Sequence, residues 1–274
     1  MNSPKETAQN YVAIGASKTQ YTVGRMLALA ILAGMFIALA GVGATIASAT
    51  IDSPSLAKLL GALVFPVGLA MVLIAGSELF TGNTLIIISV LERKAKISGM
   101  LKNWFFVYIG NFIGGILIAA LTVYGGTFNL FSNTAASSVI STAIAKVSLS
   151  FSDALFRGIL CNFLVCIAVW MSFTAKDIVG KVAALFLPIM LFVLSGYEHS
   201  VANMYYIAAG LFAKNVPAYA DIAASSNTNA LSWGSMFTGN LIPVTIGNII
   251  GGMLLVGVTY WFIYLRGENK KKKK

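Results

Sequence analysis

An eight-residue pattern occurs twice in this chain and constrains it more than any other feature. GSELFTGN, with Gly76, Glu78 and Asn83, and GYEHSVAN, with Gly196, Glu198 and Asn203, share the spacing G-x-E-x-x-x-x-N, and each interrupts a long apolar stretch. Each is followed by a second shared string, IGNFIGG from Ile109 to Gly115 and IGNIIGG from Ile246 to Gly252. Two strings repeated in the same order mark an internal duplication.

The interrupted stretches are of membrane type. A chain of 274 residues with 58% hydrophobic and 10% charged residues cannot hide its apolar surface in one water-soluble core. A bilayer core of about 30 Å takes roughly 20 apolar residues per helix. Six stretches qualify: 26–49, 59–91, 104–123, 154–175, 182–212 and 237–265. Residues 1–25 are polar and mixed, without the apolar core of a secretory signal, so the N-terminus is expected to be retained. The chain therefore reads as an N-terminal segment (1–25), one transmembrane domain (26–265, with repeats of about 26–123 and 154–265) and a basic tail (266–274).

Cytoplasmic loops carry an excess of Lys and Arg. Fifteen of the 19 basic residues fall on one side, leaving Lys58, Lys146, Arg157 and Lys214 on the other. This predicts an inner-membrane protein with both termini cytoplasmic. The net charge of +10 is mostly that asymmetry, so no nucleic-acid partner is expected, while membrane lipid is. With one His, and with Cys161 and Cys166 five positions apart inside the fourth stretch, no metal site or other cofactor is predicted, and the cysteines read as packing residues.

Three spans per copy is an odd number, so the second copy enters from the opposite side. The fold class is all-α: six transmembrane helices as two inverted three-helix repeats, with broken second and fifth helices. In transport proteins such breaks meet near the midplane at the conduction site, where a cavity or other protein groups satisfy the freed backbone. Asn111 and Asn248 are expected to bond the broken backbones, and Gly110, Gly114, Gly247 and Gly251 to allow close helix approach. The Glu78 and Glu198 carboxylates, equivalent in the copies, are expected to accept backbone N–H groups freed by the breaks.

His199 breaks the symmetry, since its counterpart is Leu79. With an unperturbed pKa of about 6.5 it is the side chain suited to proton exchange at ordinary pH, and Glu198 beside it could orient it. Thr81, in the opposite break, can hydrogen-bond to it or to an anion. Phe65, Leu69, Leu79, Phe80, Val165 and Phe192 supply apolar groups in or near the broken spans that can exclude water. Lys146, just before the fourth stretch, can draw anions to the mouth. Catalysis by Glu78, Glu198 and His199 is a poor alternative, because no nucleophile, metal cluster or cofactor motif completes a site. A water channel would call for Asn-Pro-Ala strings at the breaks, and neither has one.

GSELFTGN, SGYEHSVANM, CNFLVCIAVWMS and NLIPVTIGNIIGG together resemble the formate/nitrite transporter family across nearly the whole chain. The resemblance implies an aquaporin-like protomer in a homopentamer, with a pore in each subunit for a small monovalent anion, formate, nitrite or hydrosulfide. It equates the segment from Glu78 to Asn83 with a mobile omega-shaped loop and that from Leu194 to Glu198 with an S-shaped one. His199 and Thr81 match the polar pair at the pore centre. Phe65, Leu69, Leu79, Phe80, Val165 and Phe192 fall at the narrow apolar positions, and Lys146, Asn162 and Asn203 at polar positions that attract or orient the anion. In some members the N-terminal segment rearranges with pH and closes the cytoplasmic mouth. Gly82 and Asn83 depart from the Ser-Thr or Ser-Ser usual after Leu-Phe-Thr in formate channels.

Overall fold

A computed structural model describes residues 1–267; most of the basic tail lies outside the described residues. The principal helices are α1 (Pro4–Thr19), α2 (Val23–Ser48), α3 (Pro54–Gly76), α4 (Phe80–Leu91), α5 (Ile97–Tyr124), α6 (Thr134–Val147), α7 (Phe151–Thr174), α8 (Ile178–Leu194), α9 (Ser200–Ala213) and α10 (Trp233–Tyr264). Five of these, α2, α3, α5, α7 and α10, are long and apolar enough to cross a membrane, and the α8–α9 pair makes the broken fifth crossing. The chain is a multi-pass membrane protein.

Local sequence sets the helix ends. At α1, Ser3 accepts from Glu6 N at 3.3 Å while Ser3 N donates to the Glu6 carboxylate at 2.7 Å, a reciprocal cap followed by Pro4. Thr22 caps α2 through Arg25 N, and Ser150 caps α7 through Asp153 N.

The two breaks are near copies. α3 ends in a π-turn over Val72–Gly76, Gly76 takes φ +82°, and the chain runs extended through Ser77 to Leu79 before α4. α8 ends at Leu194, Gly196 takes φ +70°, and the chain runs without helix through Tyr197 to His199 before α9. Only glycine tolerates positive φ at little cost. Leu79 (φ −106°, ψ 123°) and His199 (φ −107°, ψ 113°) cap the second halves in the same conformation.

Both breaks are shorter than the resemblance implies. Helix resumes at Phe80, so Phe80 to Asn83 is not a loop, and Leu194 still belongs to α8. The cause is Asn111, whose Oδ1 accepts Phe80 N at 2.9 Å while its Nδ2 donates to Glu78 O (2.9 Å) and Ala30 O (2.8 Å). Asn248 does the same in the second copy, with Ser200 N (2.9 Å), Glu198 O (3.0 Å) and Gly158 O (2.8 Å). One amide thus satisfies both sides of each break.

α2 lies along α5, and α7 along α10. The approach is close enough that a Cβ at Gly114 would strike the Ile31 carbonyl and one at Gly251 the Ile159 carbonyl, so these glycines serve helix contacts within the subunit. The residues just before the doubled IGN strings, Tyr108 and Thr245, meet through their hydroxyls at 2.9 Å, which puts the pseudo-twofold axis between them. α10 starts at Trp233, on a Ser232 cap, four residues before the sixth apolar stretch at 237. A π-turn over Met236–Leu241 precedes Pro243 and accommodates its missing N–H.

Each repeat also has a leading helix. Lys18, next to last in α1, stands four residues before the Thr22 cap, and Lys146, next to last in α6, four residues before the Ser150 cap. The duplicated unit therefore begins at α1 and α6, not at the first and fourth crossings.

Candidate functional site at the facing breaks

The breaks face each other, and at their meeting point Thr81 Oγ1 lies 2.9 Å from His199 Nε2. Both residues are buried. The backbone N–H of Ala202 donates to His199 Nδ1 at 3.1 Å. An atom that accepts an amide proton carries none, so in the neutral ring the proton sits on Nε2 and points at the Thr81 oxygen. The Thr81 hydroxyl, accepting from the ring, keeps its own hydrogen for another acceptor.

Thr81 is fixed from behind. Its carbonyl accepts from Thr84 Oγ1 (2.7 Å) and Asn162 Nδ2 (3.2 Å), and Asn162 Nδ2 also donates to Asn248 O at 2.6 Å. Asn162 therefore ties the first break to the second. Cys166 Sγ lies 3.4 Å from the same Thr81 carbonyl.

On either side of this centre stands the same ionic cradle. In the second copy, Lys146 Nζ reaches both Glu198 oxygens at 3.1 and 3.0 Å, and Asn203 Nδ2 donates to Glu198 Oε2 (2.6 Å) and Asn240 Oδ1 (2.7 Å). In the first, Lys18 Nζ meets Glu78 Oε1 at 2.7 Å and Asn83 Oδ1 at 2.9 Å, and Asn83 Nδ2 donates to Glu78 Oε2 (2.6 Å) and Asn103 Oδ1 (2.8 Å). Each carboxylate thus takes lysine and amide side chains, not the freed backbone N–H groups. A buried charge is tolerated when paired and hydrogen-bonded, and side chains can supply a positive charge where amides cannot. The Glu198 carboxylate points at Lys146 and the asparagines rather than at the His199 ring, so no acid–base dyad forms.

Two cavities approach the centre from opposite directions. The wide one, about 480 Å³, is entered past Lys58, Lys146 and Arg157 and ends at Phe65, Phe192 and His199. At its floor the Phe65 ring stands edge-on to Phe192 (centroids 5.7 Å apart, 87° between planes), and Phe192 stacks on His199 at 6.0 Å. The narrow one, about 30 Å³, holds Leu69, Leu79, Asn83 and Lys18, and is covered by Tyr11 and Phe173. Tyr11 donates to Gly82 O at 3.3 Å and packs edge-on against Phe173 at 5.6 Å. α1 therefore seals this mouth.

Of the apolar residues singled out from the sequence, Phe65 and Phe192 line the wide cavity, and Leu69 and Leu79 the narrow one. Phe80 and Val165 line neither. Phe80 is edge-on to Tyr108 (4.9 Å) and Trp104 (6.1 Å), and Val165 is buried along α7. Sequence reasoning missed Lys18, Asn103 and Asn240. A signal existed, because Asn103 precedes Asn111, and Asn240 precedes Asn248, by the same eight positions, just as Lys18 and Lys146 precede hydroxyl caps by four.

The family profile described as formate/nitrite transporter matches residues 5–262. The chain belongs to this family. Its members are channels and transporters, not enzymes. Curated relatives of this formate/nitrite transporter include the formate channel FocA of Escherichia coli K12, 41% identical over 248 residues (88% of this chain, 86% of that one). A probable formate transporter of Methanothermobacter thermautotrophicus is 36% identical over 282 residues (96% and 97%). A solved pentameric formate channel with formate bound superposes with a TM-score of 0.80 at 35% identity, covering 89% of this chain and 98% of that one. A solved FNT family ion channel gives 0.84 at 29% identity, covering 94% and 98%.

Proposed function

We propose that this protein is a homopentameric inner-membrane channel for small monovalent anions of weak acids, with formate its foremost substrate, both termini cytoplasmic and lipid around its apolar outer faces. The observation that carries the reading is the Thr81–His199 hydrogen bond, a pair of donors held between two helix breaks at the foot of a basic cavity. The relatives named for formate support the choice of substrate.

Lys146, balanced by Glu198, stands with Lys58 and Arg157 at the wide mouth, and the net positive charge of the group draws the anion in. The edge-on Phe65 and Phe192 rings make an apolar step at which a solute gives up water. Beyond them the Thr81 hydroxyl has a free hydrogen to give a carboxylate, and the His199 Nε2–H reaches the same anion by leaving the Thr81 oxygen, so together they replace water lost at the rings. Leu69 and Leu79 form the apolar step on the far side, where an acid crosses more easily neutral than charged, and Lys18 stands past it as the counterpart of Lys146.

The Nδ1 bond bears on how the proton moves. Were Nε2 to give up its proton outright, the ring could regain charge balance through Nδ1 only if that atom released the Ala202 amide. The geometry favours hydrogen-bond donation by the neutral ring over a full proton transfer, and the pH dependence of flux then follows the acid's own ionisation.

The test is stopped-flow flux into liposomes for formate, nitrite, hydrosulfide, acetate and chloride under one gradient. Formate is expected to lead and chloride to be excluded. Chloride flux equal to formate flux would rule out the weak-acid reading.

A further inference from the structure

The sequence leaves only Lys58, Lys146, Arg157 and Lys214 on the sparsely charged side of the chain, and the structure gathers three of them at one cavity. Lys214 is occupied elsewhere, donating to Leu231 O at 2.5 Å. Lys58 comes from the first turns of α3, Lys146 from the last turn of α6 and Arg157 from the second turn of α7, so the convergence is tertiary. Their states differ. Lys146 is neutralised by Glu198 at 3.0 Å. Among the described residues, neither the Lys58 nor the Arg157 side chain makes an ion pair or a hydrogen bond; only the Arg157 carbonyl is engaged, by Glu198 N at 3.3 Å.

Two unpaired cations at one mouth repel, and low-dielectric walls strengthen both that repulsion and the field they present to an anion. The charges of Lys146 and Arg157 both act on Lys58. The cavity, about 480 Å³, is far larger than a one-carbon acid needs, since one water takes up about 30 Å³ in the liquid. Thr45, Ser138 and Thr142 add hydroxyls to its walls. Its floor is the Phe65–Phe192 step, where a doubly charged solute would have to shed the hydration of both charges.

We propose that the wide cavity contains a second anion station, made by Arg157 and Lys58, that binds short dicarboxylates and holds them above the aromatic step. A guanidinium takes one carboxylate through two parallel N–H bonds, and an ammonium takes the other as a point charge. A monocarboxylate satisfies only one of the two cations. A bound dicarboxylate covers the path to His199 without passing it, so it blocks flux from this side alone. The station goes beyond the channel reading, and its binding measurement does not depend on that reading.

The experiment is calorimetric titration of the purified protein with malonate and with acetate at matched ionic strength, with liposome flux as its companion. Malonate is expected to bind at least tenfold more tightly than acetate. Arg157→Gln and Lys58→Gln should each weaken malonate about tenfold, whereas Lys214→Gln should leave it unchanged; melting curves show that each variant is folded. Malonate binding no tighter than acetate, or unchanged in both cavity variants, overturns the proposal. In flux, malonate should inhibit formate entry from the cavity side only, and equal inhibition from both sides also overturns it. Protein that binds malonate as expected but carries no formate would contradict the channel reading and leave the station standing.

Discussion

The Lys18 ammonium lies 2.7 Å from the Glu78 carboxylate, with side chains 16% and 5% exposed, and Lys146 and Glu198 repeat the contact at 3.0 Å with 15% and 7%. Breaking such a pair from one side strands a charge. Removing one partner of a buried pair costs about 3–5 kcal/mol, whereas removing both is far milder. Lys18→Met is therefore expected to lower the melting temperature more than the double variant Lys18→Met with Glu78→Gln, despite having one change fewer. Thermal unfolding in detergent checks this; a double variant at least as damaged as the single would contradict it.

Asn248 serves three backbone groups at once, and a leucine of similar size would leave two of them, Ser200 N and Glu198 O, unpaired, while Gly158 O keeps its helical bond. Each buried orphan costs about 1–3 kcal/mol. Asn248→Leu and Asn111→Leu are expected to destabilise the protein by similar amounts because their networks are copies. Only Asn248→Leu should also cut flux strongly, because its break carries His199. Paired melts and flux assays on the two variants decide it, and equal flux losses would argue against His199 as the special feature.

Phe192 closes the floor of the wide cavity and stacks on the imidazole. Phe192→Ala should raise acetate flux relative to formate several-fold, since the step that excludes a larger acid is gone. Competition flux with both acids measures the ratio; an unchanged ratio places selection elsewhere.

At the other mouth, Glu6 lies outside the membrane-spanning segments. Its carboxyl is held below the usual carboxylate range chiefly by the Ser3 backbone N–H, then by the Ser3 hydroxyl, with Lys176 adding a favourable charge. A lowered folded value means that the stabilisation is present above the unfolded value of about 4.3 and is lost as pH falls through the folded one. The first turn of α1 should therefore fray below about pH 4, and Glu6→Gln should fray it at neutral pH. Protection factors of the α1 amides test this, and pH-independent protection would refute it.

Much of this was legible in the sequence. The doubled string marked the breaks, and the position where the copies differ, His199 against Leu79, is the one that meets Thr81. Phe65 and Phe192 line the wide cavity and Leu69 and Leu79 the narrow one, since positions beside a break face the space it opens. Phe80 lines neither cavity: it begins α4 instead of lying in a loop, and its ring stands edge-on to Trp104 and Tyr108. Lys18 looked like an orienting surface charge, because composition counts charges without showing that α1 folds back over the mouth. The role of the two carboxylates was misread for the same reason: Asn83 and Asn203 stand in the motif itself, but the lysines that neutralise the carboxylates are 60 and 52 positions away, and only tertiary contact reveals them.

The central claim is that His199 works as a neutral ring with its proton on Nε2, aimed at Thr81 and the passing anion. The chain has one histidine, so protein labelled with ¹⁵N-histidine gives one imidazole and no assignment problem. At pH 7 the spectrum should show a protonated Nε2 and an unprotonated Nδ1, and added formate should shift Nε2 far more than Nδ1. A proton found on Nδ1, or formate that leaves Nε2 unmoved, would contradict the account.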